Sequence, residues 1–169
     1  MSDRPAIRFL HRDSPPHIVT LVLLSGLSAL AMNIFLPSLP NMAAWFGTDY
    51  RLMQLSISVY LAFSAVLQLV IGPLSDRFGR RNIVLVSLVV FLLASLGTLL
   101  APNATIFLIF RMLQASVATG MALGRAIVRD MVDEDRAASM IAYVTLGMSI
   151  VPMLGPIIGG ALDAVKVVD

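Results

Sequence analysis

The sequence predicts an all-α integral membrane protein, on three observations. Hydrophobic residues make up 58% of the 169-residue chain and charged residues only 13%, about half the charged share of an ordinary soluble domain. Apolar runs long enough to cross a hydrocarbon core of about 30 Å recur between short polar breaks. Nine of the twelve basic residues fall in segments that share one side of that stack, the asymmetry expected of loops held in the cytoplasm. The net charge of +2 is therefore a topology signal, and nucleic-acid binding is set aside. With no cysteine in the chain, disulfides, thiolate metal sites and cysteine nucleophiles are excluded. His11 and His17 lie in the polar N-terminal stretch without further ligands nearby, so neither a metal nor any other cofactor is expected.

Residues 1–17, with Arg4, Arg8, Arg12, Pro5, Pro15 and Pro16, read as a cytoplasmic tail that cannot build a core. The first span is expected at about 18–36 and is too long for a cleavable signal peptide, whose apolar region runs roughly 7–15 residues. Pro37 and Pro40 are expected to end it, because proline cannot extend the hydrogen-bond ladder. A loop with no Lys or Arg follows, where Trp45 and Tyr50 suit the headgroup region. The second span, 52–71, leads into Gly72-Pro73-Leu74-Ser75-Asp76-Arg77-Phe78-Gly79-Arg80-Arg81, read as a polar loop opened by the Gly-Pro pair. The third span, 83–101, turns at Pro102-Asn103. The fourth, 104–128, leads into the charged connector Arg129-Asp130-Met131-Val132-Asp133-Glu134-Asp135-Arg136. The fifth, 138–162, is rich in Gly and Pro, and residues 163–169 form a short tail. The arginine count places the N-terminus inside, and five spans then place the C-terminus outside.

Arg111 is the most informative single residue, because a guanidinium within a span costs a few kcal/mol on insertion scales. Gln114, three positions on, shares its helix face. Two readings are open: a cavity arginine that meets substrate or takes part in proton movement, or one that snorkels to the headgroups or locks helices together through carbonyls. Down the same helix, the small residues through Gly120-x-x-x-Gly124 read as a packing stripe. Asn33 can donate and accept but cannot titrate, which fits helix–helix glue and substrate contact alike. In the polar loop, Asp76 can pair with Arg80 at i+4, and Arg77 and Arg81 can reach the acidic group at 130–135. Either the loop is a gate whose ion pairs form in one state and break in another, or it is a solvated loop that obeys the positive-inside rule. In the fifth span, Pro152 and Pro156 each remove a backbone hydrogen bond and predict a kink. Gly155 and Gly159 leave one side nearly flat for a partner, and Gly160 follows. Together they suggest a rocking or sealing element.

These stretches resemble the major facilitator superfamily, and within it the drug/proton antiporters of the bicyclomycin-resistance-like branch. The resemblance rests on Gly72-x-Leu74-x-Asp76-Arg77-x-Gly79-Arg80-Arg81 between helices 2 and 3, and on Arg111-x-x-Gln114 with Arg129-Asp130. It rests further on Gly155-Pro156-x-x-Gly159-Gly160 in helix 5 and on Asn33 to Pro40 at the end of helix 1. It covers about residues 18–162 and implies the major facilitator fold, with five helices of its N-terminal six-helix half. The implied activity is alternating access, in which proton entry drives export of a small lipophilic compound across a bacterial-type inner membrane. By the same resemblance, Asp76 stabilises the outward-facing state, Arg111 is associated with proton transfer, and Gly155 to Gly160 seal the closed state. The branch usually carries an aspartate where this chain has Asn33, and helices 6 to 12 have no counterpart here.

The expectation is therefore an N-terminal portion of a membrane drug exporter, not an enzyme, embedded in the lipid bilayer and unable to transport alone. Its expected partners are the bilayer, protons, a lipophilic substrate and a missing C-terminal half. The alternative is a non-transporting membrane remnant, or a helical module that assembles with another chain.

Overall fold

The computed structural model describes residues 17–131 and 134–166, with the side chains of 131–137 and 166 outside that description. Among the described residues, seven α-helices make up five stretches long and apolar enough to cross a membrane. The first stretch, Ile18–Trp45, combines α1 (Ile18–Asn33), a 3-10 turn (Leu36–Ser38) and α2 (Leu39–Trp45). The expected stop at Pro37 and Pro40 is thus corrected. Each proline occupies the first turn of the element it enters, where the N–H it lacks would have no helical partner anyway. The prolines re-aim the span without ending it.

A second correction concerns the polar loop. Helix α3 (Tyr50–Phe78) runs through Gly72 and Pro73, well past the expected end at 71. Pro73 removes one bond from a 29-residue ladder, a local cost of about 3 kcal/mol that does not stop a long helix. Gly79 stops it, at φ 85° and ψ 132°, a conformation essentially reserved for glycine. Helix α4 (Arg80–Leu99) begins at the next residue. The expected ten-residue loop is in fact two abutting helix ends hinged on one glycine.

The Pro102-Asn103 turn is where the sequence places it, and the Asn103 side chain accepts from Ile106 N at 2.9 Å to cap α5 (Ala104–Gln114). The fourth stretch is not one helix. A 3-10 segment (Ala115–Val117) separates α5 from α6 (Ala118–Met131). Helix α7 (Glu134–Lys166) continues across Pro152 and Pro156 and extends beyond the expected 138–162 at both ends.

Helix α1 is the hub. It runs parallel to α7, with Val22 against Gly147, Val151 against Gly26, Asn33 against Gly155 and Pro37 against Gly160. It runs antiparallel to the fourth stretch, with Ala31 at Arg111, Ser28 at Val117 and Leu24 at Gly120. The small residues of α6 do what small-xxx-small spacing permits. A Cβ at Gly120 would collide with the Leu24 side chain, and one at Gly124 would stand 3.4 Å from Ser25 Oγ. Close approach of this kind, rather than expulsion of water, associates helices in lipid. Leu21, Val128 and Val144 close one end of the bundle, and Leu39, Ala43, Met53, Ala104 and Phe107 the other. Leucine and isoleucine side chains such as Leu69 and Ile157 point outward, as a lipid solvent requires.

Candidate functional site

Arg111 sits in the last turn of α5, only 5% exposed. A buried guanidinium needs partners for its donors, and α5 itself and α1 supply them. Nη1 donates to Gln114 Oε1 at 2.6 Å, and Nη2 donates to the Ala31 carbonyl at 2.8 Å. Ala31 belongs to the last turn of α1, whose carbonyls lack helical partners and carry the negative end of the helix dipole. The break in α1 after Asn33 thereby creates the acceptor that Arg111 uses. The guanidinium carbon also stands 3.7 Å from the Phe35 ring centroid and 4.8 Å from that of Tyr60. Both aromatic faces attract the cation. Nε has no partner, so donor capacity remains.

Gln114 extends the network. Its Nε2 donates to Ser95 Oγ at 3.0 Å and to Thr98 Oγ1 at 3.4 Å on α4. Arg111 and Gln114 form part of the wall of an open cleft of about 480 Å³ between α1, α4 and α5, otherwise largely apolar and lined by Phe35, Phe91, Leu99 and Phe107 among others. Snorkelling is therefore not what Arg111 does in this conformation. It combines helix locking with a place on a cavity wall.

The 3-10 segment just beyond Gln114 is braced from two sides. Ser28 Oγ donates to the Val117 carbonyl at 2.6 Å, and Ser116 Oγ donates to the Ser87 carbonyl at 3.1 Å. Neither serine stands out in the sequence, and nothing there marks the break, since it contains neither Pro nor Gly.

At the Gly79 hinge, Arg80 faces Asp130 with Nη2 to Oδ2 at 2.7 Å, and Asp76 Oδ1 lies 3.7 Å from the same nitrogen. One arginine ties the ends of α3, α4 and α6. The Asp76–Arg80 spacing matches the sequence reading, and among the described residues Asp130 is reached by Arg80 rather than by Arg77 or Arg81. The abutting helix ends explain this: Arg80 opens α4, and Arg77 instead lies 5.4 Å from the ring of its neighbour Phe78. Asp76 and Asp130 are exposed, so such pairs contribute about 0–1 kcal/mol each. The side chains of Asp133, Glu134 and Asp135 lie outside the described residues.

Asn33 and the α7 motif come together. Asn33 Nδ2 donates to Ala29 O at 2.7 Å, one turn back in its own helix, so its amide braces the end of α1. A Cβ at Gly155 would stand 3.4 Å from Asn33 Cβ, whereas a Cβ at Gly159 would strike the Ile34 carbonyl oxygen. Gly160 faces Pro37 at 3.8 Å, and Pro152 and Pro156 flank this contact half-buried. One turn beyond, Asn41 Nδ2 donates to Asp163 Oδ2 at 2.6 Å. The glycine face of α7 therefore seats the non-α-helical junction of the first stretch.

Sequence reasoning missed Phe35, Tyr60, Ser95, Thr98 and the Ala31 carbonyl. Tyr60 had a readable signal, a tyrosine well inside a span rather than at a headgroup belt. Ser95 and Thr98, three apart in an apolar helix, had a weaker one.

Comparison with known proteins adds an independent line. The profile of the Major Facilitator Superfamily matches residues 21–165. The chloramphenicol resistance protein of Pseudomonas aeruginosa is 37% identical over 150 residues, 85% of this chain and 36% of that protein. Multidrug resistance protein MdtM of Salmonella typhimurium is 32% identical over 145 residues, 85% of this chain and 35% of its own. Multidrug resistance protein D of Escherichia coli is 30% identical over 147 residues, 86% and 37%. The chain thus spans little more than a third of the length of these curated relatives.

Proposed function

We propose, because the chain belongs to the Major Facilitator Superfamily, that it forms part of a proton-coupled exporter of lipophilic drugs that works by alternating access. The observation that carries this reading is the buried Arg111, held by carbonyl, amide and aromatic partners instead of a carboxylate and placed on a cleft wall. A cation stabilised by polarisable and dipolar partners can change its contacts as helices shift, which a fixed salt bridge resists. Relatives named for chloramphenicol and multidrug resistance support drug export as the activity, with chloramphenicol as the first compound to try.

In this reading the N-terminus and the Gly79 hinge lie in the cytoplasm of a bacterial-type inner membrane. Arg80, with Asp76 and Asp130, latches the cytoplasmic ends of α3, α4 and α6 in one state and releases them in the other. Gly155, Gly159 and Gly160 seal α7 against α1, with Pro152 and Pro156 permitting local movement, and Asn33 sets the end of α1 against which they close. The process is translocation, without covalent chemistry on the cargo. Five spans do not complete a six-helix half, so transport needs further helices, in the same chain or supplied by another. The relatives' greater length favours that second element of the reading.

Two experiments test it. In a full-length transporter carrying these residues, Arg111→Ala is expected to abolish pH-dependent chloramphenicol export; unchanged export would return Arg111 to a purely structural role. Expression of residues 1–169 alone in an efflux-deficient strain is expected to leave dye accumulation unchanged. Lowered accumulation without a partner chain would refute the need for further helices.

A further inference from the structure

Gln114 is held between neighbours of opposite hydrogen-bonding character. Arg111 can only donate, and its Nη1 gives a hydrogen to Gln114 Oε1 at 2.6 Å. On the other side stand two hydroxyls of α4 whose protons are already committed within their own helix. Ser95 Oγ donates to the Phe91 carbonyl and Thr98 Oγ1 to the Ser95 carbonyl, each at 2.8 Å. A hydroxyl has a single hydrogen, so both present lone pairs to Gln114. The amide nitrogen supplies the two hydrogens they accept, at 3.0 Å and 3.4 Å. A primary amide, acceptor at one end and double donor at the other, fits such a gap in one orientation.

The donors therefore run in one sense, from Arg111 through Gln114 and the hydroxyls to backbone carbonyls of α4. Hydrogen bonds aligned head to tail polarise one another. Ser95 and Thr98, three apart, share a helix face, and the residue between them that lets α5 come close is Gly97. A Cβ there would overlap the ring of Phe110, the residue just before Arg111 in α5. The seating of α4 on α5 and the span from Gln114 to its two acceptors are thus set at the same height.

We propose that Ser95 and Thr98 are positioning residues for Arg111: acting through Gln114, they tie the orientation of the guanidinium to the seating of α4 on α5. A shift of α4 along α5 withdraws both acceptors from Gln114, its amide is free to turn, and Nη1 loses a fixed partner. This rests on the reading that Arg111 acts in export and deepens it by naming the side chains that orient it.

The test uses the whole 169-residue chain in lipid bilayers, with arginine labelled with heavy nitrogen. Magic-angle-spinning NMR reads the rate at which the two Nη positions of Arg111 exchange by rotation of the guanidinium, the signals being those that Arg111→Lys removes. Ser95→Ala combined with Thr98→Val is expected to raise that rate about fivefold, the factor that corresponds to one neutral hydrogen bond. Ser95→Thr combined with Thr98→Ser keeps both hydroxyls and is expected to restore the original rate. Ser87→Ala removes a hydroxyl of the same helix that bonds back to the Ile83 carbonyl but lies outside this chain of donors, and it should leave the rate unchanged. If the double variant does not insert, Ser95→Ala alone carries the test, with a rise of about twofold.

A rate unmoved by loss of the hydroxyls, or raised equally by Ser87→Ala or by the variant that keeps both hydroxyls, would overturn the proposal. Failure here is distinguishable from failure of the export reading. Arg111→Ala in the full-length transporter can abolish export when α4 does not orient the guanidinium, and the orientation can be measured when export survives that substitution.

Discussion

A guanidinium inside a span is tolerable only when its donors and its charge are both accommodated, and Arg111 shows how this is done without a carboxylate. The Ala31 carbonyl, freed where α1 leaves helical geometry, takes one donor, Gln114 takes another, and two aromatic faces take the charge. Arg111→Ala would leave Gln114 Oε1 and the Ala31 carbonyl without their donor. The expected loss is about 1–3 kcal/mol, measured as thermal unfolding of the detergent-solubilised chain. Tyr60 is expected to act through its ring face. Tyr60→Phe should then be nearly neutral, and Tyr60→Leu should cost roughly 0.5–2 kcal/mol. Equal losses in the two variants would assign the role to the hydroxyl. Arg111 and Gln114 were legible in the sequence because polar residues in a span are rare. Their partners were not, because a backbone carbonyl and two aromatic rings carry no pattern of their own.

At the scale of elements, proline and glycine behave according to position rather than identity. Pro37 and Pro40 start helical turns and Pro73 sits inside a helix, whereas Gly79 ends α3 and Gly47, at φ 57°, closes the end of α2. The α7 glycines divide in the same way. At Gly155 a methyl group meets ordinary van der Waals distance, but at Gly159 it would meet the Ile34 carbonyl, which is backbone and cannot swing aside. Gly159→Ala is therefore expected to lower the unfolding midpoint by several degrees, as a strain of about 1–3 kcal/mol would. Gly155→Ala should change it little. If both behave alike, α7 does not seat on α1 at this register. The sequence marks all these glycines equally, and only the neighbour's identity separates them.

For the molecule as a whole, topology is the property on which the proposed latch depends. In the proposed topology Gly79 and the N-terminus share the cytoplasmic side and the turn near Thr48 lies on the outer one. The absence of cysteine makes this directly measurable. Thr48→Cys is expected to react with a membrane-impermeant maleimide from outside intact cells, whereas Asn82→Cys should react only after permeabilisation. The reverse pattern would place the Arg80–Asp130 pair outside and remove its assignment as a cytoplasmic latch.

The sequence by itself determined that this chain is helical, that it carries five stretches long and apolar enough to cross a membrane, and that it resembles the family to which it belongs. Composition, apolar run length and local motifs are one-dimensional quantities, and a lipid solvent leaves few ways to satisfy them. Tertiary structure alone decided where helices end, that the fourth stretch is broken at Ala115–Val117, and that Arg80 rather than Arg77 or Arg81 reaches Asp130. It also decided that Asn33 turns its amide inward on its own helix and its Cβ toward Gly155. Each of these depends on which atoms a neighbouring helix presents at a given height. That is fixed by the register between α1 and its partners, which no single stretch of sequence contains.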